Sequence, residues 1–152
     1  VKAMLGMLNI DISPGLSESL VEGATSTSKA YELYLKGVGA LNNVNQLDHL
    51  NDAIRFFKSS IRLDPDYALA HAGLGEAFWE IYENRKTPEY VDSARASLHH
   101  AEELNEKLAA IQVMLGRLNT GTGNYKAAIK HFKNALAIDS KLSSALRGLA
   151  SV

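Results

Sequence analysis

The side chains able to do chemistry are few and scattered. Of five histidines, His99 and His100 are neighbours, about 100° apart on any helix, and so cannot grip one metal ion as an i, i+4 pair could. His49, His71 and His131 have no Cys, Asp or His at ligand spacing. Cysteine is absent, which removes disulfides, thiolate nucleophiles and cysteine-based zinc sites. No Gly-rich phosphate loop or nucleophile elbow occurs. The residues therefore point to no catalytic group, no metal and no cofactor, and leave open which kind of molecule the chain meets.

Composition narrows which molecule. Sixteen Lys and Arg against seventeen Asp and Glu leave a net charge of −1 over 152 residues. That balance lacks the electrostatic pull on which nucleic acid or anionic lipid binding depends. No apolar run approaches the ~20 residues that span a bilayer, so membrane insertion is not expected, and a soluble protein of either cytoplasm or periplasm fits. A hydrophobic share of 46% is enough to bury a core. The chain starts without Met and stops inside a helical pattern, which reads as an excised piece of a larger protein.

The elements that position these residues follow from an internal repeat. The pairs Lys36-Gly37, Leu74-Gly75 and Leu115-Gly116 each precede an Ala (Ala53, Ala94, Ala128) that is followed four residues later by Phe57, Leu98 or Phe132. Seven residues after that Ala come Ser60, Ala101 and Ala135. The step from each Ala to the next small residue is 22: Ala53 to Gly75, Ala94 to Gly116, Ala128 to Ala150. The other half varies, from Gly37 to Ala53, Gly75 to Ala94 and Gly116 to Ala128, by 16, 19 and 12. Small residues at fixed spacing are what two helix backbones need in order to approach, with the bulky residue one turn on filling the space beside them. The unvarying half carries one helix pair into the next, and the variable turn faces outward.

The pattern Leu115-Gly116, Gly123-Asn124-Tyr125, Ala128, Phe132, Ala135-Leu136 and Ile138-Asp139 resembles the tetratricopeptide repeat, a 34-residue helix-turn-helix unit. Ala53, Phe57 and Leu63-Asp64-Pro65 are similar to its second half. Ser140 and Asn119 depart from that pattern, as does Asn105-Glu106 where Asp-Pro is usual. The resemblance implies an all-α, right-handed solenoid of about three helical hairpins plus a terminal helix. It divides the chain into a lead-in over 1–27 and an array over 28–152, with repeats at 30–67, 68–108 and 109–142 and the first helix of a fourth at 143–152. The lead-in resembles the stretch before such arrays in large bacterial signalling and regulatory proteins.

Hydrophobic spacing predicts helices near 28–42, 48–62, 67–83, 88–104, 108–121, 124–138 and 142–151. Thr87-Pro88 reads as a hydroxyl cap with Pro in the first turn. The first two copies exceed 34 residues by 4 and 7, close to whole helical turns, which predicts longer hairpins, with Trp79, Ile81, Tyr82, Tyr90 and Val91 towards the tip of the second.

In a tetratricopeptide array the first helix of each pair lines a concave groove. The resemblance places Tyr31, Tyr34, Val38, Leu41, Leu69, Ala72, Glu76, Trp79, Ala110, Val113, Arg117 and Thr120 there. Gly37, Ala53, Phe57, Gly75, Ala94, Leu98, Gly116, Ala128 and Phe132 are its packing residues. Tyr34, Val38, Gly73, Ala110 and Met114 occupy the positions where chaperone-binding members use Lys and Asn to clamp a terminal carboxylate, so that ligand class is not expected. The implied function is a scaffold that holds a protein or peptide by apolar anchors. The alternative is a structural spacer or oligomerisation module whose groove is filled by residues 1–22. Leu142, Ala145, Leu146 and Leu149 predict an apolar terminal helix through which the chain continues or forms a homo-oligomer.

Overall fold

A computed structural model describes residues 25–42 and 47–152; residues 1–24 and 43–46, and the side chain of Leu47, lie outside it. Nearly all of the lead-in therefore falls outside the described residues. The described chain is all α: α1 (Ser28–Leu41), α2 (Leu47–Leu63), α3 (Ala68–Arg85), α4 (Glu89–Leu104), α5 (Ala109–Gly121), α6 (Tyr125–Ile138) and α7 (Ser143–Ala150). The helices pair as α1/α2, α3/α4 and α5/α6, and α7 follows.

Contacts between helices define the layers. Every helix packs on its neighbours in sequence, and α1, α3, α5 and α7 also touch one another in series, whereas α2, α4 and α6 do not. First helices thus form a continuous inner row and second helices an outer one. A row whose members meet while their partners splay apart curves towards its own side, giving a helical solenoid.

The small residues work as the spacing predicts. A Cβ on Gly37 would lie 2.6 Å from the Phe57 ring, one on Gly75 would lie 2.6 Å from Leu98, and one on Gly116 would lie 2.5 Å from Phe132. Each bulky side chain is also held by the next pair. Phe57 sits against Gly73 and Phe132 against Gly148, at 2.5 and 2.3 Å from the Cβ each would carry. The residue equivalent to Gly73 and Gly148 in α5 is Met114, which shares a buried cluster with Leu98. A smaller plug and a larger wall replace Phe and Gly there, keeping volume roughly constant as close packing requires. Ala150 is exposed, because the contact made by the frame position is with the second helix of its own pair.

The connections between pairs share one device. Asp64, Asn105 and Asp139 each accept, through Oδ1, the backbone N–H two residues on, from Asp66, Lys107 and Lys141. Their own N–H groups donate to the carbonyls of Ser60, Ala101 and Ala135. Asn105 performs the turn chemistry of an Asp, so its departure from the family pattern changes little, since either side chain closes such a turn. Ser60 is fully buried, and its hydroxyl donates to the Ala30 carbonyl at 2.7 Å.

Within pairs, the extra residues lengthen helices. α3 and α4 have 18 and 16 residues against 13 and 14 in α5 and α6. The Thr87 cap is a correction: the first bonds of α4 run from the N–H groups of Tyr90 and Val91 to the carbonyls of Thr87 and Pro88, at 3.2 and 2.9 Å. Pro88 takes the cap position itself with helical dihedrals, so the main chain supplies the first acceptors. Lys86 ends α3 in the left-handed region, φ 54°, which reverses the chain without a glycine.

Candidate functional site

The inner row encloses a cavity of about 230 Å³ lined by α1, α3 and α5, with Phe57 of α2 behind them. Tyr34, Val38 and Leu41 enter from α1, Leu69, Ala72, Gly73, Glu76 and Glu80 from α3, and Ala110 and Met114 from α5; Asn42 lies at the end of α1. The walls form because α1, α3 and α5 present residues at helical spacing to the same side: 34, 38 and 41; 69, 72, 73, 76 and 80; 110 and 114. All five clamp positions, Tyr34, Val38, Gly73, Ala110 and Met114, border this one space. None of them is a cation.

One end is an aromatic stack. Tyr34 lies 6.4 Å from Tyr31, 5.3 Å from Tyr67 and 6.0 Å from Phe57 between ring centroids. Tyr31 thus supports the wall through Tyr34. Burial pushes the Tyr34 phenol up, helped by the Glu76 carboxylate. Tyr67 is 2% exposed and its hydroxyl has no hydrogen-bond partner among the described residues. Burial raises its phenol too.

The other end is charged. Arg117 on α5 reaches across to α3, with Nη1 3.4 Å from Glu76 Oε1 and Nη2 2.9 Å from Glu80 Oε1. Burial raises the Glu76 carboxyl; Arg117 pulls it back down and Glu80 adds to the rise. The arrangement offers hydrogen bonding and charge beside an apolar hollow. Among the described residues that line it, no nucleophile is paired with a base.

Two predicted groove residues are corrected. Trp79 is 3% exposed and belongs to the core between α3, α4 and α5, where a Cβ on Gly121 would lie 2.4 Å from its indole. Val113 is 7% exposed and packs with Ala128, Phe132 and Ala145. Both sit on the flank of a first helix that meets the neighbouring pair, about 100° away from the concave face per residue step. Trp79, Ile81, Tyr82, Tyr90 and Val91 do lie in the turns next to the α3–α4 connection, but Trp79 and Ile81 are buried there, Ile81 against the first pair. Thr120 turns back on its own helix, donating to the Gly116 carbonyl. Glu80 and Asn42 are groove residues that sequence reasoning missed. Glu80 was detectable as a second carboxylate one turn after Glu76.

The histidines make local contacts. His99 and His100 are about half exposed, each beside the Glu three residues on. His71 lies edge-on to His100 with centroids 4.5 Å apart. His131 Nδ1 is 2.9 Å from Oε1 of the buried Gln112, whose Nε2 donates to Glu102 at 2.9 Å. Because Gln112 commits its amide N–H to Glu102, its oxygen must accept, and His131 carries the proton on Nδ1. This network ties α4, α5 and α6 together outside the groove. No group of three His, Asp or Glu among the described residues is placed to hold a metal ion, and none of the described helices is long and apolar enough to cross a membrane.

Comparison with known proteins agrees with this geometry. Residues 109–142 match the tetratricopeptide repeat model. Similar structures include a thermophilic tetratricopeptide protein of Thermus thermophilus, at 23% identity and TM-score 0.72 over 88% of this chain and 67% of that one. The first tetratricopeptide domain of Spaghetti (RPAP3), bound to the HSP90 peptide SRMEEVD, is 16% identical with TM-score 0.68, over 83% and 91%. The TPR2B domain of yeast Sti1, in complex with an Hsp70 peptide, is 14% identical with TM-score 0.67, over 82% and 96%. No curated protein matches the sequence.

Proposed function

We propose that this chain is an array of tetratricopeptide hairpins and an interaction scaffold that takes a polypeptide segment in the groove of α1, α3 and α5. The observation that carries the reading is the cavity itself. At about 230 Å³ it is smaller than the ~300–1,000 Å³ of a small-molecule site, and it suits a single apolar anchor from an extended or helical segment. Val38, Leu41, Leu69 and Met114 supply the apolar contact, and the charged end fixes direction. Structural neighbours that hold chaperone peptides support polypeptide as the ligand class. The acidic SRMEEVD type of ligand does not suit this groove, because the cation at its charged end, Arg117, is already engaged by Glu76 and Glu80 and the clamp positions carry none.

Peptide display selection on the immobilised chain tests the proposal, with Ala110→Arg as the blocking variant. Ala110 is exposed and borders the cavity, so a long side chain there obstructs the groove without disturbing the core. Selected peptides should lose binding to Ala110→Arg and keep it with Arg95→Ala, on an exposed position of α4. Undiminished binding to the blocked variant overturns the groove as the site.

A further inference from the structure

The charges around the groove do not cancel. Two carboxylates, Glu76 and Glu80, border the cavity, and they face one guanidinium, that of Arg117. Both engage it through Oε1 alone, at 3.4 and 2.9 Å, and neither Oε2 has a hydrogen-bond partner among the described residues. The two acids are one turn apart on α3, a spacing at which like charges repel. Their side chains are only 35% and 20% exposed, so water screens them less than it would a surface pair. The groove therefore carries a net charge of −1 beside an apolar hollow, with two carboxylate oxygens unused.

We infer that the segment bound here carries a Lys or Arg next to its apolar anchor, the cation bridging Glu76 and Glu80 while the anchor enters the hollow between Val38, Leu69 and Met114. The inference rests on the groove reading above and specifies its ligand. A second cation completes the pairing that Arg117 begins, since charge-assisted bonds to carboxylates are the stronger class. An acidic segment would add a third negative charge to a half-buried pair, and that like-charge contact acts against the wrong partner. Among the described residues that line the cavity, Glu76 and Glu80 are the only charged ones.

Isothermal titration calorimetry on the 152-residue chain at low salt, with two amidated nonapeptides identical except for a central Lys-Leu-Lys or Glu-Leu-Glu, tests this. The basic peptide should bind about ten-fold or more tighter, the equivalent of one charge-assisted hydrogen bond. The Glu76→Gln/Glu80→Gln double variant should lose that preference, and Arg117→Ala, which frees both carboxylates, should strengthen the basic peptide. Equal or tighter binding of the acidic peptide overturns the inference and leaves the groove reading standing, as does a preference that survives the double variant. Failure of both peptides to bind also overturns it, and the display selection then judges the groove separately. Binding of the basic peptide unchanged in Ala110→Arg overturns both.

Discussion

Gly116→Ala and Gly39→Ala are the same substitution, both within helices, and should have opposite effects. At Gly39 a Cβ meets nothing within 4 Å among the described residues. Relief of glycine's backbone entropy should then stabilise the fold by about 0.5–1 kcal/mol. At Gly116 the new methyl would lie 2.5, 2.7 and 2.8 Å from three atoms of the Phe132 ring. The ring cannot retreat, because Gly148 closes its other side, with a built Cβ only 2.3 Å from the same Cε1. Overpacking of a closed core costs about 1–3 kcal/mol, and a plug walled on both sides belongs at the upper end. Subtracting the ~1 kcal/mol helix-propensity gain leaves a net loss of about 2 kcal/mol. Urea unfolding, with equal slopes required for all variants, measures both. Phe132→Leu should shrink the Gly116→Ala penalty, a coupling read from a double-mutant cycle. If Gly116→Ala is as stable as the parent, or both alanines shift the midpoint the same way, the idea that paired glycines clamp each ring is wrong.

Four further outcomes are expected. Tyr67→Phe should leave stability unchanged or raise it by about 1 kcal/mol in urea, since the buried hydroxyl has no partner to lose; a clear loss would show that it is satisfied. Trp79 is the sole tryptophan, so native fluorescence should be blue-shifted and poorly quenched by acrylamide, and quenching like that of free indole would return it to the groove. Burial holds the His131 imidazole below its usual range, outweighing the pull of Glu102, with His99 and Lys130 acting in the same sense as burial. The unfolded chain therefore takes up this proton first, stability should fall as pH drops from 7 towards 5, and His131→Gln should flatten that slope; an unaltered slope sinks the assignment. Leu146 is 50% exposed on α7, and self-association through that helix should appear in sedimentation and vanish in Leu146→Glu; a strict monomer at high concentration removes it.

Much of the fold was legible because its contacts are periodic. Gly37, Gly75 and Gly116 meet Phe57, Leu98 and Phe132 at fixed separations along the chain, so spacing alone identifies partners across a hairpin. Helix ends were readable for a similar reason, being governed by local turns such as those at Asp64 and Asp139. The groove was legible in part. Tyr34, Val38, Leu41, Leu69 and Glu76 border the cavity, whereas Trp79 and Val113 do not.

That division has a physical cause. A repeat determines which residues of one hairpin touch, since both partners lie within a few turns of a single connection. It leaves undetermined the angle at which successive hairpins meet, and that angle decides whether a flank of a first helix faces the hollow or the next pair. Here the angle depends on non-repeating volumes, Gly73 and Gly148 against phenylalanine rings but Met114 beside Leu98, together with the indole seated on Gly121. Sequence alone determined the hairpins, their order and their small-residue seams. Tertiary structure alone decided which side chains border the cavity, and that Glu80 joins Glu76 there, because a carboxylate's surroundings are set by a helix 37 residues away.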